Sequence, residues 1–270
     1  MHAVRSAEAP VEEAPPAASQ DLERVHPPAF LASIRELCES GGGAIDLDTV
    51  VSERSYDAAV VAAGAATAAV DAVLAGDLRA AFCLGRPPGH HAEAARAMGF
   101  CLVNHAAVAA SHARAAGVER VAVLDWDAHH GNGTQAIFWS DPNVLYVSLH
   151  QYPFYPGTGG RAERGAAAGL GATVNIPLAA GTSERGFMDA FDYEALPALR
   201  NFDPELLIIS AGFDAHRDDP LCNLGLSSAA FGDLTRAVRE IGAGPVLVLE
   251  GGYDLTALFE SVSEVLAGLA

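Results

Sequence analysis

The chain has 270 residues, half of them hydrophobic, and 34 acidic residues against 16 lysines and arginines give a formal charge of −18. A field of that sign argues against nucleic acid or an anionic membrane surface as partner and favours a cationic small molecule or a basic peptide. Cys38, Cys83, Cys101 and Cys222 are widely spaced with no CxxC pair, which excludes a disulfide framework and a thiolate zinc knuckle.

Residues 1–20, MHAVRSAEAPVEEAPPAASQ, are rich in Ala, Pro and Glu without periodicity, so a flexible leader is expected there, followed by one domain over 21–270. A helix over Asp21 to Glu39 is split at Pro27-Pro28 and stopped by Gly41-Gly42-Gly43. Ser55 to Leu74 is a long helical stretch of Ala and Val whose near absence of charge implies burial on more than one side. Gly76-Asp77 turns the chain into a strand at Ala81 to Leu84, and Arg86-Pro87-Pro88-Gly89 holds a rigid loop ahead of His90-His91. A helix over Asn104 to Ala115 follows. Further strands are expected at Val121 to Leu124, Val144 to Leu149, Thr173 to Ile176, Leu206 to Ser210 and Val246 to Leu249. Helices are expected at Thr134 to Trp139, Ser183 to Arg200, Ser227 to Ile241 and Leu255 to Leu269. Continuous apolar strands alternating with helices predict an α/β fold with a mostly parallel sheet covered on both faces, so the loops after the strands share one crevice. With no positively charged region followed by an apolar one, and no apolar run of about 18 residues, a soluble, unexported, cytoplasmic protein is expected.

The stretch VAVLDWDAHHGNG, Val121 to Gly133, carries a buried strand straight into Asp125, Asp127, His129 and His130. Carboxylates and imidazoles at the end of such a strand are costly unless paired, and a metal ion is the commonest partner. The two-residue period of a strand points Asp125, Asp127 and His129 the same way. Asp127 and His129 are therefore metal ligands with Asp125 one step deeper, and the plainer alternative is a helix cap at Asp127 with exposed histidines. Asp214, beyond the strand LLIIS, is the third ligand or else a turn residue. One His and two Asp fit zinc with an open position, and the oxygen-rich set also admits iron(II), cobalt or manganese.

His90 and His91 are candidate acid and base groups, oriented by Asp125 and Asn132, although adjacent loop histidines are also found one exposed and one packed. Tyr253, after Glu250-Gly251-Gly252, can clamp an oxyanion opposite the metal, or pack on the last helix. Phe100 after Gly99, with Tyr152, Phe154 and Tyr155, can wall an apolar tunnel, or sit in the core.

The motifs GRPPGHHA, GFC, DWDAHHGNGTQ, SLHQYPFYPGTG, NIPL, SAGFDAHRDDPL and LEGGY resemble the histone deacetylase family, in particular its class II, bacterial deacetylase and acetylpolyamine amidohydrolase branches. The resemblance implies a three-layer αβα domain with a single eight-stranded, mostly parallel sheet related to arginase. It puts Zn2+ on Asp127, His129 and Asp214, makes His91 the principal base beside His90, and gives carbonyl polarisation to Tyr253. It implies Asp125 behind His90, Asn132 behind His91, tunnel walls at Phe100 and Tyr155 with Gly99 and Gly251, and a rim residue at Asp48. Structural K+ is implied at Asp125, Asp127, His129, Ser148 and Leu149, and again at Phe138, Asp141 and Val144. His130 receives no catalytic role. The family's first strand and rim loop have no counterpart in the leader, so a missing N-terminal edge strand is expected, which leaves the tunnel mouth and homo-oligomer formation open. The implied reaction is zinc-dependent hydrolysis of an N-acetyl amide, from acetyl-lysine or an acetylpolyamine. The alternatives are a non-catalytic acyl-lysine or polyamine binder and an arginase-like ureohydrolase.

Overall fold

The structure, a computed structural model, describes residues 11–270, so the first half of the expected leader lies outside the described residues. Among the described residues two helices come first, α1 (Ser19–Glu23) and α2 (Pro28–Glu39), and Pro28 opens the second at a position where its missing N–H costs nothing. Strands β1 (Gly43–Ala44) and β2 (Val50–Val51) pair antiparallel as a small hairpin. Then follow α3 (Ser55–Leu74), β3 (Ala81–Cys83), α4 (His105–Ala115), β4 (Val121–Asp125), α5 (Asn132–Phe138), β5 (Val144–Gln151) and β6 (Thr173–Leu178). The chain closes with α6 (Glu184–Ala190), α7 (Leu196–Phe202), β7 (Leu206–Ala211), α8 (Ser228–Val238), β8 (Ala243–Leu249) and α9 (Leu255–Leu269). The single helix expected over Ser183 to Arg200 is interrupted by a π-helical turn, Phe191–Ala195, just ahead of Pro197, which has no N–H to continue the ladder.

Among the described residues six strands form the main sheet in the order β3-β8-β7-β4-β5-β6, and every neighbouring pair is parallel. The chain leaves β4 outward through β5 and β6, then returns on the other side of β4 through β7 and β8. The strand order therefore reverses between β4 and β7, and the crevice outside their carboxyl ends is where an open α/β sheet places a ligand. The register aligns Asp125, the last residue of β4, with Ser148 of β5 and Ser210 of β7, and β5 runs on three residues beyond that level to Gln151.

The expectation of eight strands in one sheet needs correction. β1 and β2 pair with each other away from the main sheet, and the outer edge of β3 has no strand against it among the described residues. That edge borders an apolar groove of about 800 Å³ between α3 and α9, with Val11 to Ala14 along it. Residues Pro15 to Ala17 lie against α3, where Ala17 N–H donates to Val60 O (3.0 Å).

Side chains of β4 alternate between two cores. Val121 and Val123 pack with α3 and α4 on one face, whereas Ala122 and Leu124 join Phe187, Phe191 and Phe231 on the other. Both faces being covered explains why all five residues of β4 are buried. A further correction concerns α3, whose length and mean hydropathy of 1.6 would suffice to cross a membrane. In this fold its Ala59, Ala63, Ala66 and Val70 are buried in the core shared with α4 and β8.

His112 of α4 binds α1 and α3 together, with Nδ1 3.0 Å from Asp21 and Nε2 2.8 Å from Asp71. Partial burial lowers its pKa, but the two carboxylates outweigh it and the net shift is upward. A raised folded-state pKa means a contribution that is complete below about 6.5, the ordinary histidine value, and is lost as pH rises through the folded value. H112A is expected to lower the urea-unfolding free energy at pH 6 by about 1 kcal/mol or less, since the cluster is partly exposed, and by less still at alkaline pH. An H112A penalty that grows with pH would contradict the arrangement.

Candidate active site

Beyond β4 the alternation continues. Trp126 and Ala128 enter the apolar core, while Asp127 and His129 turn to the crevice and Asp125 stays buried behind His90. Each carboxylate folds back onto the amide two residues on, Asp125 Oδ1 accepting from Asp127 N–H (3.2 Å) and Asp127 Oδ1 from His129 N–H (2.9 Å). Asp127 Oδ2 also accepts from Gly251 N–H (2.8 Å), and Asp214 Oδ1 from Ala128 N–H (2.8 Å). The remaining atoms converge, with His129 Nδ1 3.2 Å from Asp127 Oδ1 and 2.8 Å from Asp214 Oδ2.

One donor atom from each of Asp127, His129 and Asp214 lies within 4.8 Å of the others, the only such group of three among the described residues. Side chains at Gly212 or Gly251 would collide with these carboxylates, so backbone closes the cluster on those sides while Asp127 and His129 face the cavity. Burial pushes Asp214 up to about 6, with the Asp127 charge adding to the effect. Burial also acts to raise Asp127, but His90 and His129 outweigh it and hold this carboxyl well below its usual range. His129, lowered by burial, is carried up to about 10 by Asp214 and Asp127. Two buried carboxylates held on one imidazole with an open side make a donor set suited to a divalent cation.

Pro87 and Pro88 end β3's continuation and deliver His90 and His91, whose rings lie 4.1 Å apart. His90 Nδ1 is 3.0 Å from Asp125 Oδ2, and His91 Nδ1 is 2.9 Å from Asn132 Oδ1. One imidazole is thus backed by a charge and the other by a neutral amide. Burial lowers His90, but Asp125, Asp127 and Glu250 together hold it well above the ordinary histidine value. His91 is driven well below that value, first by burial and then by the neighbouring His90 charge.

The cavity over the cluster measures about 100 Å³, well under the ~300 Å³ of the smallest drug-sized pockets, and suits a slender chain. Pro88, Phe100, Tyr155, Leu221 and Tyr253 line it, as do Gly99 and Gly251, where a Cβ would strike His91 and the Asp127 and Asp214 carboxylates respectively. Tyr155 meets His91 edge-on at 5.1 Å, and Phe100 meets Tyr253 at 6.2 Å. Phe100 has φ 67°, a left-handed conformation costing a non-glycine residue ~1–2 kcal/mol, and its amide is held by Thr49 Oγ1 (3.2 Å). Thr49 Oγ1–H in turn donates to Asp48, so the β1–β2 hairpin carries Asp48 to the rim and braces Phe100. Phe154 stacks on His129 (5.1 Å) and Tyr152 packs beside His150 (6.5 Å), and neither lines the cavity. His130 turns away into a buried network with Thr158 and Gln135.

Of the residues expected to hold monovalent cations, Asp125 and Ser148 are cross-strand neighbours, with Asp127, His129 and Leu149 following them in the chain. Phe138, Asp141 and Val144 sit on the turn between α5 and β5, where Asp141 N–H donates to Phe138 O (3.0 Å). Several supporting residues escaped the sequence reading. Tyr146 O–H donates to Asp125 (3.0 Å), Glu93 accepts from Asn132 (2.9 Å), and Asp219 accepts from Tyr253 N–H (2.8 Å). Glu250 accepts from Gly89 and His90. Glu250 alone carried a readable signal, a carboxylate directly after an apolar strand, as in Asp125.

The histone deacetylase domain family matches residues 2–269. A histone deacetylase-like amidohydrolase of Pseudomonas aeruginosa is 46% identical over 248 residues, covering 89% of this chain and 65% of that protein. An uncharacterized protein of Synechocystis sp. is 47% identical over 247 residues, covering 91% of this chain and 80% of its own length. A crystal structure of the HDA15 HD domain superposes with a TM-score of 0.93 at 39% identity, over 96% of this chain and 76% of the other. The chain belongs to the histone deacetylase family.

Proposed function

We propose that the chain is a zinc-dependent deacetylase that hydrolyses the N-acetyl amide of acetyl-lysine, in a protein or peptide, or of an acetylpolyamine. The observation that carries this reading is the meeting of an Asp127–His129–Asp214 donor set, two buried histidines and Tyr253 around one narrow cavity. Asp127, His129 and Asp214 would hold a divalent cation, which would supply Lewis-acid polarisation of the amide carbonyl and lower the pKa of water there.

The protein's own groups do the rest. His91, oriented through Nδ1 by the neutral Asn132, presents Nε2 as the base that takes a proton from the attacking water. Tyr253 donates its phenolic hydrogen to the oxygen that gains charge as the carbonyl is attacked. His90, tied to Asp125, supports the positive charge and assists return of a proton to the leaving amine. Phe100 and Tyr155 exclude water along the aliphatic stem, and Asp48 with the −18 net charge favours a cationic substrate. Structural K+ is proposed at Asp125, Asp127, His129, Ser148 and Leu149, and at Phe138, Asp141 and Val144, where a cation would offset the buried carboxylates.

Tyr253, which lines the same cavity as Asp127 and His129, favours catalysis over simple binding. Asn132, a neutral amide bonded to His91 and Glu93, adds no carboxylate beside the cluster, which counts against an arginase-like ureohydrolase with a second metal. The test is acetate release from an acetyl-lysine peptide and an acetylpolyamine by protein stripped with a chelator and then reloaded with zinc, iron(II), cobalt or manganese. Turnover is expected to vanish on stripping and to return with zinc. Turnover that survives complete metal removal would overturn the reading.

A further inference from the structure

Glu250 leaves the carboxyl end of β8 and is completely buried. Its Oε2 accepts from Gly89 N–H (2.6 Å) and His90 N–H (3.1 Å), and its Oε1 accepts from Ser210 Oγ (3.0 Å). Its main chain is fastened as well, with Glu250 N–H donating to Ala211 O (3.1 Å) and Arg86 to Glu250 O (2.8 Å).

The neighbouring sequence explains why one side chain gathers these bonds. Pro87 and Pro88 have no N–H, so the first main-chain donors of the histidine loop are Gly89 and His90, and both end on the same carboxylate oxygen. From the other side, Gly133 and Thr134 of α5 donate to His90 O (3.0 and 3.2 Å). The backbone at His90 is thereby held between α5 and Glu250. Ser210, the other anchor, is the β7 residue in register with Asp125, four positions before Asp214. Burying a carboxylate this deeply is expensive unless its oxygens are occupied, and burial pushes Glu250 up to about 7. A glutamate kept at that cost joins two parts of the site that are distant in the chain.

We infer that Glu250 is a positioning residue, a strut that sets the His90-His91 loop against the β7 end of the metal-ligand cluster. The inference rests on the deacetylase reading for its kinetic consequence, and on geometry alone for the strut. What matters in this role is reach and acceptor capacity, while the carboxylate's charge acts separately, through His90. A glutamine can keep all three bonds, its Oε1 on the two amides and its Nε2 donating to Ser210 Oγ. An aspartate keeps the charge but is one methylene too short to reach both anchors.

The test compares E250Q and E250D in the full, zinc-loaded chain. With an acetyl-lysine peptide, E250D is expected to lose about 10–100-fold in kcat with KM within about threefold, since displacements of about 1 Å cost up to ~10²-fold, while E250Q, which keeps the anchors and gives up only the charge beside His90, loses less. Independently of turnover, amide hydrogen exchange at Gly89 and His90, followed by NMR, is expected to quicken at least about tenfold in E250D and little in E250Q. Unchanged exchange in E250D overturns the strut even if wild type releases no acetate, an outcome that would by itself count only against the deacetylase reading. Equal losses of kcat in both variants, or a larger loss in E250Q, would overturn it in favour of charge.

Discussion

Asp214→Asn is expected to strip the protein of its metal and reduce acetate release to background. Its Oδ2 stands 2.8 Å from His129 Nδ1 and its Oδ1 already accepts from Ala128 N–H, so the amide can keep the backbone bond while one anionic donor disappears. Losing an outer-sphere partner costs ~10–100-fold in metal affinity, and loss of a direct ligand from a set of three should exceed that. The effect is readable without turnover. Zinc at 100 times its Kd stabilises the folded state by about 2.7 kcal/mol, and for a chain of this size that amounts to a Tm rise of about 5–10 °C. Wild type is expected to show this rise on reloading and Asp214→Asn to lose it, with metal content measured by elemental analysis. Full zinc stoichiometry in the variant would show that Asp214 is not a ligand.

His91→Ala is expected to reduce kcat by about 10²–10⁴-fold, the range of a positioned general base, while zinc content and the zinc-dependent Tm rise remain. The two histidines are not equivalent. His91 is backed by Asn132, which orients without charge, whereas His90 is backed by Asp125 and lies 3.8 Å from Asp127 Oδ1. His90→Ala leaves Asp125 with a lost partner in a fully buried place, so its defect is expected to include a lower Tm, a cost His91→Ala largely avoids. Measuring kcat, zinc content and Tm together separates the assignments. A His91→Ala variant that keeps wild-type kcat would remove His91 from the mechanism.

The amino-acid sequence by itself determined the alternation of strands and helices and the chemistry at the strand ends. Apolar runs such as VAVL and LLIIS have no polar face, so they must be buried on both sides, and the polar residues that follow can only emerge at the sheet's edge. The grouping of Asp127 with His129 follows from spacing alone. What only the tertiary structure decided is which strand ends meet. Asp214 reaches the cluster because the chain returns beside β4 as β7, a choice of strand order made by packing between elements some 80 residues apart. The same long-range packing brings Glu250 to Gly89 across 161 positions and Thr49 to Phe100 across 51. It also separates the β1–β2 hairpin from the main sheet. Local sequence carries the periodicity that makes a strand and the residue types that make a ligand, but not the register of one strand against another. That register, with Asp125 at the end of β4 beside Ser210 near the end of β7, brings the residues that follow these neighbouring strands, Asp127, His129 and Asp214, into one site.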